Sequence, residues 1–195
     1  SRGVITLPTV PTVYEVPLLL EDQGLGDLIV ESMGLSATDR DLREWRQMVE
    51  VVKRPKESLP IAVVGKYVDL HDSYISVKEA LIHAGLEHNR DIEVIWVGSE
   101  DVENEGAETL LGSVGGIVIP GGFGPRGVEG MIEAVRYARE QQIPYLGLCL
   151  GMQVLVVEVA RNLLGKQLAN STEFDPDTPD PVIDLMPDQR SVTEL

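Results

Sequence analysis

The sequence predicts an α/β fold, a doubly wound, mostly parallel sheet with helices on both faces. Three observations predict it. Short continuous apolar runs, of the kind formed by strands covered on both sides, recur along residues 58–195. Segments with apolar residues at helical spacing separate them, and glycine-rich turns follow two of the runs. In such a sheet ligands bind at the carboxyl ends of the strands, where both glycine-rich turns fall.

Residues 1–57 have a different character. Pro8, Pro11 and Pro17 punctuate the stretch from Val4 to Leu20. Proline removes donors from a sheet ladder, so this piece is expected to be extended and irregular. From Ser36 onward Leu42, Trp45, Met48, Val49 and Val52 recur at helical spacing, and Thr38 and Asp41 suit a capping box. One amphipathic helix is expected here. A polar, proline-flanked stretch from Lys53 to Pro60 then leads into the main domain, 58–195. So short a leader buries little area by itself and reads as the tail of another domain plus a linker.

The main domain opens with Ile61-Ala-Val-Val-Gly65, a buried strand. Tyr74, Val77, Leu81 and Ala84 give a helix with Asp72 or Ser73 as its cap. Ile92 to Val97 is the second strand, and the acid-rich segment Ser99 to Leu111 has room for a helix. Gly116 to Ile119 is the third strand, running into Pro120-Gly-Gly-Phe-Gly124; Val128, Ile132, Val135 and Ala138 mark the next helix. Pro144 to Leu148 is the fourth strand and delivers Cys149, after which Met152 to Leu164 forms a strongly apolar helix.

Composition narrows the function. Sixteen Lys and Arg stand against 32 Asp and Glu, a net charge of −16, whereas phosphate-backbone binding needs clustered cations, so no nucleic acid is expected as a partner. No stretch approaches the roughly 20 apolar residues of a membrane helix, and the first residues lack a basic-then-apolar secretory pattern. No membrane association is expected, and the location expected is cytoplasmic. A single cysteine forms no internal disulfide, and histidines at 71, 83 and 88 show no metal-ligand spacing, so no metal is expected.

Gly147-Leu-Cys-Leu-Gly151 has the glycine-x-nucleophile-x-glycine form of a nucleophile elbow, set between an apolar strand and an apolar helix. Glycines flank the nucleophile because the turn is too tight for side chains. A helix starting just beyond points unpaired N–H groups and its positive dipole end at the sulfur, an environment suited to an anion. A lone cysteine is ordinarily a small core residue; strand, glycines and helix occurring together favour Cys149 as a nucleophile. Attack on a carbonyl builds charge on oxygen, and the N–H groups of Gly122 and Leu150 are the candidate oxyanion donors. The competing reading of Gly121-Gly122 is an ordinary strand-to-helix turn. A phosphate cradle fits less well, since no Lys-Ser/Thr follows. No histidine stands out as the base: His83 and His88 fall on or past a helix, and His71 in a loop. Glu158 reads as structural, and Glu173 as a polar-loop acid that could border the cleft.

Three segments together resemble one family. They are Pro120-Gly-Gly-Phe-Gly-Pro-Arg-Gly-Val-Glu-Gly-Met131, Pro144-Tyr-Leu-Gly-Leu-Cys-Leu-Gly-Met-Gln153 and Ala169-Asn-Ser-Thr-Glu-Phe174. They are similar to the glutaminase domain of CTP synthases, a class I glutamine amidotransferase on a flavodoxin-like fold. Gly65-Lys-Tyr-Val-Asp-Leu70 resembles that domain's opening strand, and Val13-Tyr-Glu-Val-Pro-Leu-Leu-Leu20 the end of the preceding synthetase domain.

The resemblance implies that Cys149 attacks glutamine, forms a glutamyl thioester and releases ammonia, which a synthetase domain uses for ATP-dependent amination of UTP to CTP. It implies Gly122 and Leu150 as oxyanion donors, and Gly122, Leu150, Gly151, Met152, Gln153 and Glu173 as glutamine-binding residues. It further implies ATP and Mg in the synthetase domain, GTP as allosteric activator, and a homotetramer. Residues 1–57 then correspond to the end of the synthetase domain and the interdomain linker, and 58–195 to an amidotransferase domain truncated before the family's His-Pro-Glu motif. This chain by itself is expected to be a catalytically incomplete fragment. Two other readings stand beside it: a PfpI-like cysteine hydrolase using a local histidine, and a non-catalytic assembly or regulatory module of the same fold.

Overall fold

A computed structural model describes residues 3–36, 40–186 and 188–189. The chain divides into two compact units that meet in sequence at Lys56 and Glu57.

The first unit is helical. A 3-10 turn over Val13–Glu15 leads into α1 (Val16–Asp22), followed by α2 (Leu25–Met33) and α3 (Arg43–Lys53). The prolines therefore do not hold this stretch extended throughout, and three α-helices occur where one was expected. Pro17 falls in the first turn of α1, where an N–H has no intrahelical partner to lose and the fixed φ already suits a helix. The helix expected from Ser36 begins only at Arg43, with Asp41 Oδ1 accepting the Arg43 N–H at 3.0 Å. Thr38, expected in its cap, lies outside the described residues. Leu18 and Val49 are buried, and the Trp45 indole N–H donates to the Tyr14 carbonyl at 2.8 Å. A cavity of about 570 Å³ in this unit is lined by Val10, Leu18, Val49 and Lys53 among others.

The second unit carries a four-stranded sheet in the order β2-β1-β3-β4, all pairs parallel. Its strands are β1 (Glu57–Gly65), β2 (Arg90–Gly98), β3 (Gly116–Ile119) and β4 (Tyr145–Gly147). The helices between them are α4 (Ile75–Glu87), α5 (Ser99–Glu105), α6 (Ala107–Leu111) and α7 (Val128–Glu140), with α8 (Leu150–Asn162) after β4. A small parallel pair, β5 (Ala169–Ser171) and β6 (Asp180–Ile183), follows. This is the doubly wound parallel architecture expected.

Alternation along the strands assigns the two faces. Ala62, Val64, Ile117 and Ile119 enter one core with Met131 and Val135 of α7 and Val154 and Val157 of α8. Val63 lies in register with Trp96, and Trp96 stacks on Tyr74 at 6.3 Å between ring centroids on the opposite face. There α4 packs so closely on β2 that a Cβ on Gly85 would lie 2.6 Å from Ile92 Cγ1.

Several boundaries moved. β1 starts at Glu57, inside the stretch taken as linker, and includes Pro60. Proline is tolerated there because pairing with β3 begins only at Ile61, beyond its missing donor, while its carbonyl still accepts the Gly115 N–H at 2.8 Å. The segment 99–111 is two helices, broken at Gly106, whose φ of +87 departs from helical geometry. Instead of a side-chain cap at Asp72 or Ser73, a 3-10 turn over His71–Tyr74 feeds α4 directly. α8 begins at Leu150, two residues earlier than its apolar periodicity indicated.

Candidate active site

In the order 2-1-3-4 the connections reverse direction between β1 and β3, so a crevice opens beyond the carboxyl ends of those two strands. Lys66 follows β1, the glycine-rich loop 120–127 follows β3, and Cys149 follows β4. The topology brings these three segments to one end of the sheet.

Cys149 stands as the N-cap of α8 with φ +53 and ψ −104, a left-handed backbone that an L-residue with a Cβ adopts only under strain. Its side chain is exposed. Both flanking glycines are sterically compelled. A Cβ on Gly147 would lie 2.5 Å from the carbonyl carbon of Gly151, and one on Gly151 would lie 2.1 Å from the Ile119 carbonyl oxygen. The strand-to-helix bend is fastened by the Leu148 N–H donating to Ile119 O at 2.9 Å and by the half-buried Tyr145 hydroxyl donating to Gly151 O at 2.7 Å. Burial pushes the Tyr145 hydroxyl well above the ordinary phenol range, so it remains a donor.

Helix geometry decides which amide is left over. The Gly151 N–H bonds Leu148 O at 3.0 Å, and those of Met152 and Gln153 bond Cys149 O at 3.1 and 3.2 Å. The Leu150 N–H, directly after the nucleophile, has no acceptor among the described residues. The loop after β3 approaches from the other side. A Cβ on Gly121 would stand 3.6 Å from Cys149 Cβ, and one on Gly122 would stand 3.1 Å from Leu150 Cδ2. The glycines therefore let backbone lie against the elbow.

Lys66 and Glu173 frame this loop. Lys66 is buried, with its Nζ donating to the carbonyl oxygens of Phe123, at 3.1 Å, and Gly124. The Phe174 ring lies 5.8 Å from that ammonium. Burial pulls the Lys66 ammonium below its ordinary range; the charge of Glu173 opposes the fall and that of Arg126 adds to it. Glu173 Oε1 accepts the Gly124 N–H at 3.0 Å. Arg126 donates to the Lys66 carbonyl at 2.8 Å, pairs with Glu100, and stands 5.7 Å from the Tyr67 ring. Tyr74 Oη in turn accepts the Lys66 and Tyr67 N–H groups at 3.2 and 3.3 Å.

A cavity of about 340 Å³ adjoins the first turn of α8, lined by Gln153, Thr172, Glu173, Ile183 and Asp184 among others. Gln153 Oε1 is buried there without a hydrogen-bond partner among the described residues. The structure thus gathers Cys149, Gly122 and Leu150 at the elbow, and Gln153 and Glu173 at the cavity, with Glu173 also touching the loop. Gly151 is taken up in packing on β3, and the Met152 side chain is exposed. His83 lies within α4 and His88 caps its carboxyl end, away in sequence from all three segments. Glu158 is fully buried in an ion pair with Arg139 at 2.8 Å, in keeping with a structural role. Among the described residues no cluster of His, Cys, Asp and Glu could hold a metal ion, and no helix is long and apolar enough to cross a membrane.

Sequence reasoning missed Lys66 and Arg126. A signal was present, because a lysine directly after the apolar run Ile61–Gly65 of the central strand stands at the point where the topology opens its crevice.

The family model "Glutamine amidotransferase class-I" matches residues 69–180, from the turn after β1 to the start of β6. CTP synthase of Chloroflexus aurantiacus is 60% identical over 193 residues, covering 99% of this chain and 35% of that protein. CTP synthase of Dehalococcoides mccartyi is 58% identical over 191 residues, with 98% and 35% covered. The chain spans about a third of the length of the curated relatives it matches. A solved structure, the glutaminase domain of Trypanosoma brucei CTPS with bound acivicin, superimposes with a TM-score of 0.63 at 39% identity, covering 68% of this chain and 52% of that one. With more than half of its length matched, elbow and glycine-rich loop included, the chain belongs to the class-I glutamine amidotransferase family and is homologous to the glutaminase part of CTP synthases.

Proposed function

We propose that this chain is the glutamine-binding part of an amidotransferase, in which Cys149 takes the glutamyl group as a covalent intermediate and the amide nitrogen leaves as ammonia. The observation that carries the reading is the φ of +53 at Cys149, strain that a merely structural cysteine has no reason to bear. The sulfur bonds to the side-chain amide carbon and the carbonyl becomes an oxyanion, held by the N–H groups of Leu150 and Gly122. The C–N bond then breaks, nitrogen leaves as ammonia with the proton originally on sulfur, and a glutamyl thioester remains. Water hydrolyses that thioester to glutamate and restores the thiol.

Gln153 and Glu173 hold the substrate in this reading. The unpartnered Gln153 Oε1 and the second Glu173 oxygen are acceptors suited to the α-ammonium of glutamine, with Gly151 and Met152 shaping the approach. The donated ammonia serves the amination of UTP to CTP in a synthetase domain that supplies ATP and Mg, with GTP as activator, in a cytoplasmic homotetramer. The relatives' names and the identity of 58–60% support this wider role.

The test is incubation with acivicin, the compound bound by the trypanosomal glutaminase domain, followed by peptide mass spectrometry. One adduct is expected on the peptide containing Cys149, and none in Cys149→Ser. Ammonia release by the 195-residue chain alone is expected to stay near background, since turnover needs a base for the thiol and a proton donor for the leaving nitrogen, and neither His83, within α4, nor His88, at its end, belongs to the segments that form the elbow. Failure to label Cys149 would overturn the amidotransferase reading.

A further inference from the structure

We infer that Lys66 is a positioning residue for glutamine hydrolysis: its ammonium, bridging the carbonyls of Phe123 and Gly124, holds the Gly121–Gly124 backbone in the orientation that presents an amide to the oxyanion. The inference rests on the functional reading above and extends it to a residue outside the elbow. It starts from an anomaly of burial. Lys66 is 7% exposed, and a lysine is almost never buried without a strong reason. No carboxylate pairs with it at salt-bridge distance among the described residues; its donors are spent on two successive main-chain carbonyls. A peptide plane carries C=O and N–H in opposite directions. The Phe123 carbonyl shares its plane with the Gly124 N–H, which Glu173 accepts, and the Gly124 carbonyl shares its plane with Pro125, which has no N–H; the clamp therefore fixes the chain directly beyond Gly122 and limits the rotation left to the Gly122 peptide.

The rest of the arrangement makes the anchor rigid. Arg126 and Tyr74 fasten the Lys66 backbone through its carbonyl and its N–H, on the end of the central strand β1. Glu173 takes the Gly124 N–H from the opposite side. The loop is thus gripped by a cation on its carbonyls and an anion on its amide. Glycines at 121, 122 and 124 would otherwise leave that backbone free to sample many conformations. An oxyanion donor contributes only when it is aimed before the charge develops, so holding the loop acts on rate and not on ground-state binding.

The experiment compares wild type with Lys66→Met, which keeps the apolar stem, and Lys66→Gln, which keeps a neutral donor. Two reagents are used on each. Acivicin requires attack at its chloro-substituted C=N carbon; the S–C bond forms, charge builds on the ring nitrogen, and chloride leaves, so the reaction draws on the oxyanion donors. Iodoacetamide alkylates the same sulfur by direct displacement of iodide and needs none. In Lys66→Met the maximal acivicin rate, kinact, should fall about tenfold to a hundredfold with KI changed less than about threefold, and iodoacetamide alkylation should stay within about twofold. Lys66→Gln should fall between Lys66→Met and wild type. Amide exchange should rise at residues 121–124 in the variants and remain unchanged in β3.

An unchanged kinact, or equal slowing with both reagents, would overturn the inference. Misfolding of both variants would do the same, since it would make Lys66 a residue of the fold. If wild type itself is not labelled by acivicin, the amidotransferase reading fails, whereas unchanged exchange at 121–124 in folded variants would overturn the loop anchor alone.

Discussion

The carboxylate of Glu173 accepts the N–H of Gly124 at 3.0 Å, across forty-nine residues of chain, and so ties the turn after β5 to the loop after β3. One oxygen serves the loop while the residue also lines the cavity beside Gln153. This double engagement yields the first prediction. Glu173→Gln retains a carbonyl acceptor for Gly124 but loses the charge offered to a substrate ammonium. It should raise the acivicin KI by about tenfold and leave kinact nearly unchanged. Glu173→Ala loses the loop contact as well and should lower kinact too. Labelling progress curves at several acivicin concentrations separate the two constants.

The elbow glycines give a stability prediction independent of any chemistry. A methyl group on Gly151 meets the Ile119 carbonyl oxygen at 2.1 Å, and backbone cannot yield as the end of a side chain could. Gly151→Ala should destabilise the second unit by about 3 kcal/mol or more, read from urea denaturation followed by tryptophan fluorescence at Trp96.

Cys149 makes the opposite prediction. Its left-handed backbone costs about 1–2 kcal/mol for a residue with a Cβ, and glycine would relieve that strain against a smaller loss of chain entropy. Cys149→Gly should therefore raise stability by about 0.5–1 kcal/mol while abolishing labelling, a trade seen where strain serves function. Cys149→Ser keeps the strain and should melt close to wild type.

The pH dependence of stability carries the sign of Lys66. Burial lowers its pKa from 10.5 in the folded chain, so between that lowered value and 10.5 the unfolded chain binds more protons than the native one. Stability from this group accordingly rises as pH climbs through that window. Tyr74, whose phenol burial pushes upward, acts in the reverse sense, because only the unfolded chain gives up that proton as pH passes about 10. The difference in urea midpoint between wild type and Lys66→Met isolates the lysine. It should move in favour of wild type with increasing pH, and a flat difference would contradict the burial argument.

Much of the second unit was legible because its strands are short apolar runs and its helices carry apolar stripes. Ile61–Gly65, Gly116–Ile119 and the elbow around Cys149 announce themselves in this way. Other features follow from partners distant in the chain. β1 begins at Glu57 because β2 pairs with it from Arg90 onward, and nothing local to Glu57, Ser58 or Pro60 favours a strand. β5 and β6 are three and four residues long and exist as a mutual pairing. Local proline content misled at Val16–Asp22, where what matters is the position of Pro17 within the first turn. At the site, Cys149 and the glycines were readable from local spacing. Lys66 was hidden because its role lies in carbonyls nearly sixty residues further on.

The glycines of the loop after β3 divide their labour, and the division bears on how such sequences are recognised. Gly127, with φ +66, and Gly130 lie against Ser99, where a Cβ on Gly130 would fall 1.8 Å from the Ser99 carbonyl oxygen. They seat α7 on α5 and have no part in the elbow. Selection for a foldable chain alone would retain them after the sulfur chemistry had decayed, so a glycine signature can advertise a retired enzyme. Position 149 is the diagnostic one, since a descendant relieved of catalysis would gain by discarding the strained residue there.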